Sequence, residues 1–215
     1  MKYNPDSWFF RFMTKLADLM ILNMLFLICC LPVVTAGAAL TGMNYVTLKM
    51  VRNEEGSIVK GFFASFRQNL RQATVLWLAT LFLSAFLLLD YRAAAVIPGV
   101  GLRTAVRSLL VLLGVILLMV LQYLFPQLAK FHTDTLPAVR NAFFMAVGNL
   151  PKTVIMLVFS FGAVYVTLLN EYTLTLGALI WIMLGFSGIA LCNSSFLVKI
   201  FDRYIPRPDG EEPED

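Results

Sequence analysis

Residues 19–48 read LMILNMLFLICCLPVVTAGAALTGMNYVTL, thirty positions without one Asp, Glu, Lys or Arg. A helix rises about 1.5 Å per residue and needs about 20 mostly apolar residues to cross the hydrocarbon core of a bilayer. Four more uncharged runs follow, at 72–89, 108–129, 153–170 and 172–198. Hydrocarbon offers backbone amides no partner, so a segment that spans it is a helix or part of a closed barrel. The runs are continuously apolar and do not alternate, which excludes a barrel. The expected fold is therefore all-α: a polytopic membrane bundle of about five helices, spanning about 17–40, 73–90, 107–129, 153–170 and 174–198.

Composition supports this reading. The 215 residues are 59% hydrophobic and 14% charged, too apolar for a soluble domain of this size. The net charge of +4 does not point to nucleic acid, because the 17 Lys and Arg residues sit beside helix ends, where membrane insertion places them. The partner expected from composition alone is the lipid bilayer. The first run follows Lys2, Arg11 and Lys15 and ends near Ala36-Gly37-Ala38, as a signal peptide does. It is much longer than the 7–15 residues of a signal core, and four further runs follow, so it is expected to remain in the mature chain.

Pro32 lies deep in the first run, where it removes a backbone donor and crowds the preceding turn; the helix should kink or end near Leu31. The small residues beyond it, Ala36, Gly37, Ala38, Ala39 and Gly42, allow another backbone to approach closely. A broken helix of this kind serves packing, or lines a substrate site as in transporters.

Three polar segments are expected to form amphipathic helices outside the spans. Residues 7–16 mix aromatics with Arg11 and Lys15 and suit the headgroup region. In 57–71, Ile58, Phe62, Phe66 and Leu70 recur every fourth residue, joined by Val59 and Phe63, with Lys60, Arg67 and Arg71 opposite. Such a helix is too polar to span, and should lie on the membrane or against a partner. Residues 137–148 form the third, in a segment that echoes the second: Val59, Lys60, Phe63, Asn69, Leu70 and Val75 align without gaps to Val139, Arg140, Phe143, Asn149, Leu150 and Ile155, the pattern of an internal duplication. Residues 205–215 are proline-rich and acidic, as a disordered tail is.

With five spans, eleven of the 17 Lys and Arg residues fall on the side of the loops 49–71 and 130–152 and the C-terminus, and six on the other. The positive-inside rule then places the C-terminus in the cytoplasm and the N-terminus outside, against the pull of the basic N-terminal segment.

No catalytic set emerges. There is no H-E-x-x-H, G-x-S-x-G or P-loop motif, and the single histidine, His132, has no metal-ligand spacing to Cys29, Cys30 or Cys192, which are expected to be buried thiols. The chain is expected to be non-enzymatic, with no metal and no cofactor. Asp18, Asp90 and Glu171 sit at run edges, where solvent or a neighbouring Arg such as Arg92 stabilises them. Deeper lie Asn23, Gln122 and Asn193, neutral groups that either bond between helices or, with Pro32, line a solute path.

The run Leu31-Pro32-Val33-Val34-Thr35-Ala36-Gly37, then Tyr45-Val46-Thr47-Leu48-Lys49, then Gly61-Phe62-Phe63 through Phe66, Asn69 and Gln72-Ala73-Thr74, resembles the YesL-like family of bacterial membrane proteins. The resemblance extends from about Leu16 beyond Asn149-Leu150-Pro151. It implies a domain of unknown function in the bacterial cell membrane, found mainly in Gram-positive bacteria, with genes beside those of carbohydrate-uptake ABC transporters and glycan-degrading enzymes. It carries over no catalytic or ligand residue. Segment 143–153 loosely resembles the end of the loop by which ABC permeases dock their ATPase, but the Glu-Ala-Ala signature is missing and Glu54-Glu55-Gly56 is a weak echo. An accessory subunit fits better than a permease, with Lys60, Phe63, Phe66, Arg67 and Asn69 contacting a permease or ATPase subunit. The alternative is a small-solute transporter with a cavity near Asn23, Pro32, Gln122 and Asn193, and homo-oligomers are compatible with either.

Overall fold

The computed structural model describes residues 8–54, 56–131 and 133–204, and these contain helices and no strand. His132 and the expected tail 205–215 lie outside the described residues. Five helices are long and apolar enough to cross a membrane: Phe9–Cys30, Ile58–Val96, Val100–Lys130, Leu150–Thr167 and Glu171–Phe201. The all-α membrane bundle read from the five uncharged runs is what the chain forms.

The first run departs from a single span. Helix α1 (Trp8–Cys30) stops before Leu31 and Pro32, a short 3-10 turn covers Val33–Thr35, and α2 (Ala36–Val51) follows as a separate helix. Pro32 cannot donate and disfavours helical backbone at Leu31, so the break falls where the sequence places it. Thr35 Oγ1 closes the turn by donating to Cys29 O at 2.7 Å. The 17–40 span is thereby replaced by an antiparallel hairpin. Lys15 Nζ, in the first half of α1, donates to Asn53 Oδ1 just past α2, at 2.7 Å. Asn53 takes φ 53°, which Asn tolerates better than most residues, and turns the chain out of the hairpin.

Helix α2 is the inner element, with twelve of its sixteen residues buried among α1, α3 (Ile58–Ala93), α4 (Val100–Lys130) and α8 (Phe186–Phe201). Its small residues explain this. A Cβ on Gly42 would stand 3.0 Å from Phe62 O, so α3 (Ile58–Ala93) runs against the α2 backbone itself. At the other end Trp77 Nε1 donates to Val33 O at 2.8 Å, which pins α3 to the α1–α2 turn.

The expected surface helix 57–71 is not separate; it is the first half of α3, a continuous helix of 36 residues and thus about 54 Å. No Gly, Pro or cap interrupts it near Gln72, and α2 supplies the apolar surface that the Phe62 face covers. Likewise 7–16 is, from Trp8 on, the start of α1. The third amphipathic segment is a distinct helix, α5 (Thr135–Gly148), ended by Asn149 before α6 (Leu150–Thr167) opens with Pro151 in its first turn. Its small face, Ala138, Ala142 and Ala146, is buried in the core it shares with α4 (Val100–Lys130). The two halves of the internal echo share one bond: Asn69 Nδ2 donates to Ser65 O at 3.0 Å and Asn149 Nδ2 to Met145 O at 3.1 Å.

The last span is α7 (Glu171–Ile180), a π-helical turn over Trp181–Gly185, and α8 (Phe186–Phe201). Asn170 and Thr173 form a capping box at its start, with Glu171 in the first turn where the helix dipole favours an acid. Opposite this end, Asp202 accepts from Lys130 Nζ at 3.1 Å and pairs with Arg52, drawing together the C-terminal ends of α2, α4 and α8. Lys15, Arg52, Lys130 and Asp202 therefore share one end of the bundle. The other end holds Arg92, Arg103 and Arg107, around a turn in which Gly99 takes φ 91°, a left-handed conformation that glycine adopts without strain. Arg103 there donates to Ile97 O at 3.2 Å, and Arg107 lies 5.2 Å over the Tyr91 ring. Of the cysteines, Cys29 and Cys30 are half-buried, but Cys192 is exposed on α8, contrary to the buried setting expected.

Candidate functional site

Two of the four intramembrane candidates meet. Asn193 on α8 donates through Nδ2 to Gln122 Oε1 on α4 at 3.2 Å and to Ser160 Oγ on α6 at 3.1 Å. Three helices are thus joined by a cluster of uncharged polar groups, and among the described residues Asn193 Oδ1 has no partner. The cluster borders a cavity of about 340 Å³, otherwise mostly apolar, between α2, α4, α6 and α8; Asn44, Trp77, Pro126, Phe161 and Trp181 also line it. That volume lies at the small end of ligand pockets. Ser160 carries no sequence signal: a single hydroxyl in an apolar helix most often bonds its own backbone.

Asn23 and Pro32 do not join this cluster. Asn23 is fully buried and serves the π turn: Nδ2 donates to Trp181 O at 2.9 Å and Ile182 O at 2.7 Å, while Oδ1 accepts from Ser187 N at 3.1 Å. A π turn displaces carbonyls from the regular helix ladder, and in this place a side chain from α1 supplies the missing donor. Ser187 Oγ adds a bond to Leu19 O at 2.8 Å. Asn23 therefore acts on the cavity only through Trp181, which the π turn positions. Pro32 stands exposed at the tip of the α1–α2 hairpin.

The five expected partner contacts also divide. Lys60 and Arg67 are exposed on α3, in line with Arg71 and opposite the buried Phe62, and Lys60 borders a depression shared with Tyr45 and Lys49 of α2. Phe63 and Phe66 are half-buried and pack with the buried Phe62, the rings of Phe62 and Phe66 stacking at 6.0 Å. Asn69 is engaged with Ser65. The outward surface is thus cationic, and it continues toward α5: Gln68, Arg71 and Gln72 line a shallow depression with Asp134 and Thr135. Tyr123 OH and Thr153 Oγ1, 2.8 Å apart, tie α4 to α6, and Thr153 Oγ1 donates to Ala146 O at 3.0 Å, which holds α5 in place.

Fold and site together define an all-α membrane bundle with an open, mostly apolar groove that carries a small amide cluster, and a basic helix face. Residues 19–91, from α1 to the end of α3, match a family described as "Protein of unknown function, DUF624". No curated protein and no solved structure matches the chain.

Proposed function

We propose that this chain is a non-enzymatic accessory subunit of the bacterial cell membrane that docks through α3 onto a permease or ATPase subunit of a carbohydrate ABC importer. The observation that carries the docking reading is the exposed row Lys60, Arg67 and Arg71, held on a helix rigidly continuous with a membrane-length segment and packed along α2. The link to carbohydrate import rests on the resemblance to the YesL-like family. In this reading Phe63 and Phe66 brace the helix and the cations meet an acidic partner.

Mild-detergent purification of the tagged protein from its native membrane, with mass spectrometry of what accompanies it, should recover such subunits in stoichiometric amounts. Lys60→Glu together with Arg67→Glu places like charges across the contact, at a cost of several kcal/mol, and should reduce recovery by at least about tenfold. Undiminished recovery with the double variant would sink the docking surface.

The same reading sets both described ends of the chain on the cytoplasmic side. The α1–α2 hairpin brings Arg11 and Lys15 to the end that holds Arg52 and Lys130, so the basic N-terminal segment and the positive-inside rule agree. Alkaline phosphatase fused after Asp215 should be inactive, and a fluorescent protein fused there bright. The reverse pattern would overturn this orientation.

The amide cluster in the groove favours a second reading, a carrier of a small neutral solute. Gln122→Leu would then abolish uptake by the reconstituted protein alone. Equal uptake by this variant and the original chain, or none by either, would remove the carrier reading.

A further inference from the structure

A second cleft lies at the end of the bundle that holds Lys130 and Asp202. Its volume is about 440 Å³, and it is lined by Gln127 and Phe131 at the end of α4, Thr133 in the following turn, Asn141, Phe144 and Met145 on α5, and Tyr204 after α8. None of these side chains is charged. Gln127 is 1% exposed, and among the described residues neither its Oε1 nor Thr133 Oγ1 has a partner. Two of the four buried, unpartnered side-chain atoms among the described residues thus belong to residues of one cleft.

The walls are built and fixed independently of any ligand. Gln72 Nε2 donates to Thr133 O at 2.8 Å and holds the α4–α5 turn, and Phe131 packs edge-on against Phe201 at 5.5 Å. Tyr204 OH reaches the end of α5, 3.6 Å from where a Cβ on Gly148 would stand.

A buried acceptor without a donor costs about 1–3 kcal/mol, so its retention in a cleft this large calls for a donor beyond the described residues. An ionic ligand finds no opposite charge among the lining residues, and a purely apolar one leaves both oxygens dry. Two amides and two hydroxyls beside the rings of Phe131, Phe144 and Tyr204 suit a molecule with apolar faces and hydroxyls around its rim. We propose that this cleft binds a neutral polyhydroxylated group, a small sugar or polyol. Exposed Leu136, Phe143 and Val147 on the outer side of α5 bring the cleft to a lipid boundary, so the same chemistry can arrive as a free sugar or as a glycolipid headgroup.

The test uses the full chain in phosphatidylcholine nanodiscs, free of sugar-headed detergent, and saturation-transfer NMR with methyl α-D-glucoside as the probe. A parallel set of discs contains diglucosyl diacylglycerol, and its sugar protons are read in the same way. Saturation of the free glucoside identifies a soluble ligand; saturation of the glycolipid alone identifies a headgroup. In either case Gln127→Leu and, separately, the less buried Asn141→Leu should reduce the signal by about tenfold, while Gly114→Ala, remote from the cleft, should not. No transfer to either probe overturns the proposal, and so does transfer that persists in both Leu variants. The docking cations Lys60, Arg67 and Arg71 do not line this cleft, so the outcome is read separately from that of the docking variants.

Discussion

Gly37→Leu is expected to prevent this bundle from assembling. A Cβ at Gly37 would stand 2.5 Å from Ala73 O and 2.6 Å from Trp77 Cβ, and neither a backbone oxygen nor a Cβ can swing aside. Even Gly37→Ala forces α2 and α3 apart along the contact that buries most of α2. Alanine gains about 1 kcal/mol over glycine in helix propensity, but overpacking a well-filled interface costs about 1–3 kcal/mol and more where the clash is with backbone. The clash wins, and for leucine, with three further carbons, it should exceed the whole stability of the hairpin.

Thermal unfolding in detergent, followed by tryptophan fluorescence and by size-exclusion profile, reads both variants. Gly37→Ala should melt well below the original chain and Gly37→Leu should not give a folded peak. Gly114→Ala and Gly162→Ala meet nothing within 4 Å and should be neutral or gain up to about 1 kcal/mol. If Gly37→Ala melted with those controls, the close approach of α2 to α3 would be refuted.

Asn23→Leu comes second in size. The amide makes three bonds to the π turn and its flank, from a site with no solvent access. An unpaired buried carbonyl or amide costs about 1–3 kcal/mol, so losing three partners should lower stability by about 2–4 kcal/mol after some relaxation. Interhelical side-chain bonds in membranes often contribute only about 0.6 kcal/mol, because the freed groups find other partners. Here the partners are backbone groups whose alternative is to re-form regular helix, shifting everything beyond Gly185 by one residue. Such a shift would move Asn193 and Ser194 off Gln122, Ser160 and Thr47, so it has its own cost. A loss below about 0.6 kcal/mol, with α8 unmoved by cysteine cross-linking, would show that the π turn does not depend on Asn23.

The two predictions bear on different kinds of residue. Gly37 stands in a legible cluster of small residues after Pro32, and close packing was expected there from sequence. Asn23 was legible only as a polar group in an apolar run. That it caps a distorted turn 158 residues away depends on how α1 meets the last helix, which no local pattern records. The same holds for Gln122 and Asn193. Both were candidates, yet Ser160, which completes their cluster, and the pairing itself required α4, α6 and α8 to be set side by side.

The outward basic face divides along the same line. Periodicity separated Lys60, Arg67 and Arg71 from the Phe62 side, and that separation is present in α3. How much of Phe63, Phe66 and Asn69 is left open to a partner is not a matter of helical period alone. Their surroundings are decided by α2, whose path the sequence reading had drawn as the end of a single span.

What the sequence determined by itself was the solvent and the element type. Apolar length is a local property, and hydrocarbon accepts only helices from such runs, so five membrane-length helices and a break at Pro32 follow from residue order alone. Only the tertiary structure decided that residues 36–51 turn back as a buried inner helix, that 58–71 extend α3, and that both described ends of the chain lie on one side. The physical reason is that a helix face has no identity until a neighbour covers it. The small side chains of α2 permit four helices to close around it, but which helices do so is a property of the whole assembly.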